Sequence, residues 1–201
     1  DNYYQQVTFS EGNNRIAKPS SPDNTSPSIG TIGLSAGKWY WELKCSVGGT
    51  TSWLIGIMST QVTAAGNYEL GKYANDYAYS ANDGDIRTNS SESSYGDTYA
   101  AGDIISVALD LTNSKLYFAK NGTWQNSGDP TSGATGTGAV SITAVGSTAN
   151  GQYFPSHSFW SGGGTATTDY NFGGCPAFTI SSGNADGNGY GNFEYAPPSN
   201  Y

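Results

Sequence analysis

The sequence predicts an all-β domain of short strands and long polar loops, and three observations carry that prediction. The first is composition: 28 Gly and 8 Pro among 201 residues, with only 12% of residues charged. Long helices draw on Ala, Leu, Glu, Lys and Arg, and the charged members of that set are scarce. The second is an aromatic share of 13%, including 15 Tyr, which a disordered chain lacks. The third is apolar alternation with a period of two, with no helical periodicity over three turns. Short strands between polar loops suggest a sandwich of two antiparallel sheets. A jelly roll or a barrel fits the same composition.

Trp39, Trp41, Leu43, Cys45 and Val47 are apolar at every second position, with Tyr40, Glu42, Lys44 and Ser46 between them. That is a strand with one face in a core and the other mostly in water. Gly48–Thr51 turns the chain, and Trp53, Ile55 and Ile57 begin a second strand. Ile105, Val107, Leu109 and Leu111 line one side of a third. Asn113-Ser114 joins it to Leu116–Phe118 in a hairpin, and Asn121-Gly122 closes the next turn. Shorter strands are expected at 140–145, 153–155 and 170–172. Polar loops are expected at 19–28, 80–98, 126–138 and 181–192. One domain is expected over 1–180, with 181–201 as a Gly/Asn-rich tail continuing into further sequence.

The net charge is -8, from 16 acidic and 8 basic residues. The basic residues are scattered and form no stripe, which argues against nucleic acid as a partner. No apolar run approaches the roughly 20 residues of a membrane helix, so membrane insertion is not expected. The two cysteines, Cys45 and Cys175, read as buried free thiols, with a disulfide between sheets as the alternative.

Catalytic chemistry is sparse. His157 is the single histidine, too few for a zinc site and without an evident triad around it. Asp76, Asp83, Asp85, Glu92 and Asp97 cluster in sequence and offer a carboxylate pair for glycoside hydrolysis, set against turn carboxylates in solvent. Asp83-Gly84-Asp85 and Asn184–Asn188 resemble pieces of calcium loops but lack the terminal bidentate Glu of the twelve-residue pattern. No cofactor is expected. The candidate ligand-binding residues are aromatic: Tyr68, Tyr73, Tyr77, Tyr79, Tyr95 and Tyr99 lie among Gly, Asn, Ser and Asp, the composition of adaptable binding loops. Trp124 and Trp160 join them. The alternative is that these rings simply pack over the sandwich.

The ordered motifs resemble the SPRY domain, and more specifically SPRY-like domains of bacteriophage structural proteins. The segments are Gly37–Leu43, Leu54–Ile57, Tyr79–Gly84, Gly102–Leu111, Leu116–Gly122, Tyr153–Pro155 and Asn171–Gly173. They span about 30–175 in family order. The pair Gly102–Leu111 and Leu116–Gly122 at this spacing is the most specific. Ser106, and the Gly/Ser/Thr segments 126–150 and 161–168, depart from the pattern. The resemblance implies a SPRY-like sandwich without catalysis that binds through its loops. It further implies a virion location, in a tail fibre, spike or capsid-associated protein. The partner would be a protein or glycan on a host surface, or sibling virion subunits, with a homo-oligomer among the arrangements.

Overall fold

The computed structural model describes residues 7–20, 27–48, 52–59, 68–160 and 164–201. Among the described residues fourteen strands are distinguished in chain order. They are β1 (Thr8–Ser10), β2 (Arg15–Lys18), β3 (Ser28–Ile29), β4 (Lys38–Gly48), β5 (Ser52–Met58), β6 (Asp76–Ser80) and β7 (Asp85–Thr88). There follow β8 (Ser91–Ser94), β9 (Ile104–Asp110), β10 (Lys115–Lys120), β11 (Thr123–Trp124), β12 (Val140–Ser141), β13 (Phe154–Trp160) and β14 (Ala166–Asn171). Helical structure among the described residues is limited to short 3-10 turns such as Gln125–Ser127, and no helix is long and apolar enough to cross a membrane.

The strands form two antiparallel sheets, as expected. The eight-stranded sheet runs β1-β2-β14-β4-β9-β10-β11, with β12 also paired to β10; the six-stranded sheet runs β3-β13-β5-β6-β7-β8. Their inner faces share one core, in which Trp41, Leu43, Cys45, Ile55, Ile57, Val107, Leu109, Phe118 and Phe159 are buried.

The sequence signals sit where the alternation places them. The β9–β10 hairpin keeps one register from Asp110↔Lys115 to Ile105↔Lys120. The Asp110 carboxylate caps its turn, accepting from the Asn113 N–H at 3.0 Å and Nδ2 at 2.7 Å, and pairs with Lys38 at 3.1 Å. Asn121 and Gly122 both take positive φ, 48° and 81°, as a two-residue turn from β10 to β11 requires. Gly56 has a different role. A Cβ there would lie 1.8 Å from the Tyr77 carbonyl oxygen on the neighbouring strand.

Several expectations are corrected. Trp39 and Val47, at the two ends of the β4 alternation, are 43% and 50% exposed, because that strand outruns the core. The opposite face of β4 is not left in water. Glu42 is fully buried there, under the segment expected to be a tail. Its carboxylate accepts from the backbone N–H groups of Glu194 (2.9 Å) and Tyr195 (2.7 Å), from Asn171 Nδ2 (3.0 Å) and from the Tyr40 hydroxyl (3.1 Å). Phe193 packs edge-on to Tyr40 at 5.0 Å, and the Tyr201 hydroxyl reaches the Pro130 carbonyl at 3.1 Å.

The loop expected at 80–98 contains β7 and β8, and only Val140–Ser141 of the strand expected at 140–145 is extended. β1 and β2 carry no clear sequence signal. Of the turn expected at Gly48–Thr51, Gly48 is the last residue of β4, and residues 49–51, like part of the 19–28 loop, lie outside the described residues. Both thiols are free; Cys45 is buried, and Cys175 is exposed because it follows the end of β14.

Two outcomes follow from this packing. Gly56→Ala drives a methyl into the Tyr77 carbonyl and should cost at least ~2 kcal/mol in chemical denaturation. Glu42→Ala strands buried donors and should cost about 3 kcal/mol. Hydrogen exchange should then speed up selectively at the Glu194 and Tyr195 amides.

Candidate functional site

Most of the aromatic candidates belong to the interior. Tyr77 and Tyr79 lie on β6, where every residue is buried. Tyr79 is at the centre of a ring cluster, 5.0 Å from Tyr99, 5.7 Å from Tyr95 and 5.3 Å from Phe118. Its hydroxyl donates to the Asp97 carbonyl. Tyr99 is 5% exposed and donates to the Tyr79 carbonyl at 2.8 Å. The Tyr95 hydroxyl accepts the Phe118 N–H at 3.2 Å, and the Tyr77 hydroxyl accepts the Thr143 N–H at 3.0 Å. Tyr68 is buried and donates to Asp76. It belongs to a second apolar cluster with Leu54, Met58, Leu70 and Ala78, which covers the outer face of the six-stranded sheet.

The physical reason is that β6 has both faces covered, so its aromatic side chains fill space between layers. Trp124 packs on Tyr117 at 6.4 Å. Trp160 lies under the Arg87 guanidinium at 5.2 Å. Of the eight candidates, Tyr73 alone is among the exposed large hydrophobic residues, at 48%, and it stacks on Tyr68 at 4.8 Å.

The acidic candidates also disperse. Asp76 is buried beside Tyr68. Asp83, Asp85 and Glu92 do converge, with one ligand atom from each within 4.8 Å. Arg87, however, lies at 3.1 Å from both Asp83 and Glu92 and supplies a positive charge to that trio. Asp83 is correspondingly held below the ordinary carboxylate range: desolvation acts upward, and the hydrogen bonds from the Asp85 N–H and Arg87 outweigh it. Asp186 caps its own loop, accepting from the N–H groups of Asn188 and Tyr190 at 2.8 Å. His157 is fully buried; its Nδ1 contacts the Tyr170 hydroxyl at 3.0 Å, and its Nε2 has no partner. Burial pushes its pKa down to about 3, so the imidazole is neutral and walled off from solvent.

A concave apolar feature lies elsewhere on the surface. A cavity of about 710 Å³ opens between the β1–β2 hairpin and the edge of β3. Phe9, Ile16 and Tyr170 line it from the larger sheet, and Ile29 and Pro155 from the smaller. Three of its lining side chains are among the most exposed apolar groups of the molecule: Ile32 at 72%, Phe172 at 50% and Trp39 at 43%. The two rings are held in place. Phe172 stacks on Tyr170 at 5.2 Å, and Trp39 Nε1 donates to the Ala36 carbonyl at 2.7 Å.

Sequence reasoning missed this site. Trp39 reads as core because it continues the β4 alternation, and Phe172 reads as a framework residue. The available signal was Ile32, a large apolar residue in the Gly-rich segment Ile29–Leu34 that belongs to none of the strands read from alternation.

Comparison with known proteins agrees with the geometry. The family model described as "SPRY domain" matches residues 38–159. Among solved structures, the crystal structure of the SPRY domain of human HERC1 superposes with a TM-score of 0.59 at 15% sequence identity, covering 86% of this chain and 94% of that one. No curated protein sequence matches the chain.

The His157 environment makes a pH prediction. Between its folded value of about 3 and an unfolded value near 6.5, the unfolded chain binds the proton more strongly. Stability should therefore fall as pH is lowered through that window, by on the order of 2 kcal/mol between pH 7 and pH 5. His157→Gln should flatten that slope in denaturation measured at each pH.

Proposed function

Since the chain belongs to the SPRY domain family, whose members are protein-interaction modules, we propose that it is a non-enzymatic binding module whose protein partner seats in the groove between β1–β2 and β3. The convergence of Ile32, Trp39 and Phe172 on one cavity carries this reading. A concave, mostly apolar site with a few polar groups is the usual form of a binding pocket. Large rings that stay exposed yet are already positioned give contact area at low entropic cost.

The setting in a phage virion rests on the sequence resemblance. In that setting the partner is a host-surface protein or a sibling subunit of a tail fibre, spike or capsid-associated assembly. An apolar groove favours a protein over a glycan in either role.

Trp39→Ser and Phe172→Ser remove side chains that are already about half in water, so the melting temperature should stay within a few degrees of the parent. Affinity for the partner should fall about tenfold or more for each, read by calorimetry or surface immobilisation. Tyr73→Ser, at the exposed tyrosine outside the groove, should leave affinity unchanged. Loss of binding in Tyr73→Ser, with Trp39→Ser and Phe172→Ser unaffected, would move the site to the tyrosine-rich surface.

A further inference from the structure

The groove is bounded on one side by an open sheet edge. Among the described residues β3 is the last strand of the smaller sheet and pairs only with β13, with Ile29 opposite Ser156 and Ser28 opposite His157. In an antiparallel ladder, alternate residues direct their N–H and C=O toward the partner strand. The Gly30 N–H donates to the Pro155 carbonyl at 2.8 Å. Residues 28 and 30 therefore bond inward to β13, and the N–H and C=O of Ile29 point outward, along the groove.

The larger sheet extends further on this side. β2 and β1 lie beyond β14, while β14 faces β13 through the Tyr170–His157 contact. By that alignment β2 lies over β3 and β1 overhangs, so Phe9 on β1 is opposite the place a further strand of the smaller sheet would occupy. One strand's width of apolar surface and one unpaired edge coincide.

Charge selects the occupant. The chain carries -8. Arg15, Lys38, Arg87 and Lys120 are already committed to ion pairs with carboxylates. The groove lining itself contains no charged residue. The nearest turn, which supplies Gly12 and Asn13 to the lining, begins with Glu11, whose side chain is 59% exposed and lies 4.0 Å from Arg15, a residue that also pairs with Asp169. A second copy of this chain brings another -8 and is repelled, whereas a cationic segment is drawn in.

Building on the groove reading above, we infer that the partner presents an extended, basic segment with alternating apolar side chains, which adds as a strand to the free edge of β3. Its backbone pairs with Ile29, its apolar side chains cover Phe9, and its basic residues are drawn by the net negative charge of the chain. Strand addition of this kind takes affinity from main-chain hydrogen bonds and selectivity from side chains at every second position.

The probe is a nine-residue peptide of alternating Lys and Val, capped at both ends, titrated into the full chain. Two N-methylated versions are compared with it, one methylated at every Val and the other at every Lys, together with a version carrying Glu for Lys. The parent peptide should bind and should slow hydrogen exchange at the Ile29 amide. Only one methylated version should lose affinity, by about tenfold or more, since one set of N–H groups faces β3 and the other faces away. The Glu version should bind at least about tenfold more weakly, with the difference shrinking in high salt.

Equal effects of the two methylation patterns, or an unchanged Ile29 amide, would overturn strand addition. If Trp39→Ser still abolished binding in that case, the groove itself would stand. Binding indifferent to Trp39→Ser would overturn the groove. Equal binding of the Glu version, no binding of the Lys version, or a dimer in sedimentation that Trp39→Ser dissolves would overturn the basic partner.

Discussion

The architecture depends on one constraint: two sheets of unequal reach must bury their inner faces against each other. Burial of alternate side chains is worth roughly 25 cal/mol per Å² of apolar surface. The register of β4, β5, β9, β10 and β13 follows from placing Trp41, Leu43, Ile55, Ile57, Val107, Leu109, Phe118 and Phe159 in one layer. Where the sheets overlap, that layer is closed. On the β1–β2 side the larger sheet continues past the smaller one, and the core runs out into an apolar groove. The site is thus the unfinished margin of the core and not a separate device placed on the surface.

The buried polar groups specify the arrangement more than they add to it. His157 takes a neutral form between Phe159 and Tyr170, 5.1 and 5.6 Å from their ring centroids. Asp110 is almost fully buried but meets Lys38 and the Asn113 turn. Burial pushes the Glu42 carboxyl up, and four donors act against that shift. Each group is tolerated in one geometry only, because a slip of one residue would leave it unpaired in a low-dielectric layer.

The fold was legible in the sequence because period-two alternation reports which face of a strand is buried, and the β9–β10 pair shows it over a complete hairpin. The site was less legible. Trp39 and Trp41 are equivalent in the pattern, yet only Trp41 is covered. What separates them is where β4 outruns the opposing sheet, a relation between strands distant in sequence. The tyrosines of 68–99 misled for a similar reason. Their loop-like composition conceals that β6 lies between covered faces, so Tyr77 and Tyr79 fill space between layers. Glu42 read as a solvent-facing residue of β4 because nothing local announces that residues 193–195 will cover it.

The bond between Glu42 and the final segment also bears on when the domain becomes complete. Glu194 lies 152 positions after Glu42, and its amide is among the last groups to leave the ribosome for this stretch of chain. Until then β4 holds a carboxylate facing an uncovered sheet surface, where water must solvate it. The sandwich core can close earlier, since β14 ends at Asn171. Closure of the outer face is therefore a separate and later event, and a nascent chain stalled before residue 194 would carry a formed core beneath an open, hydrated flank.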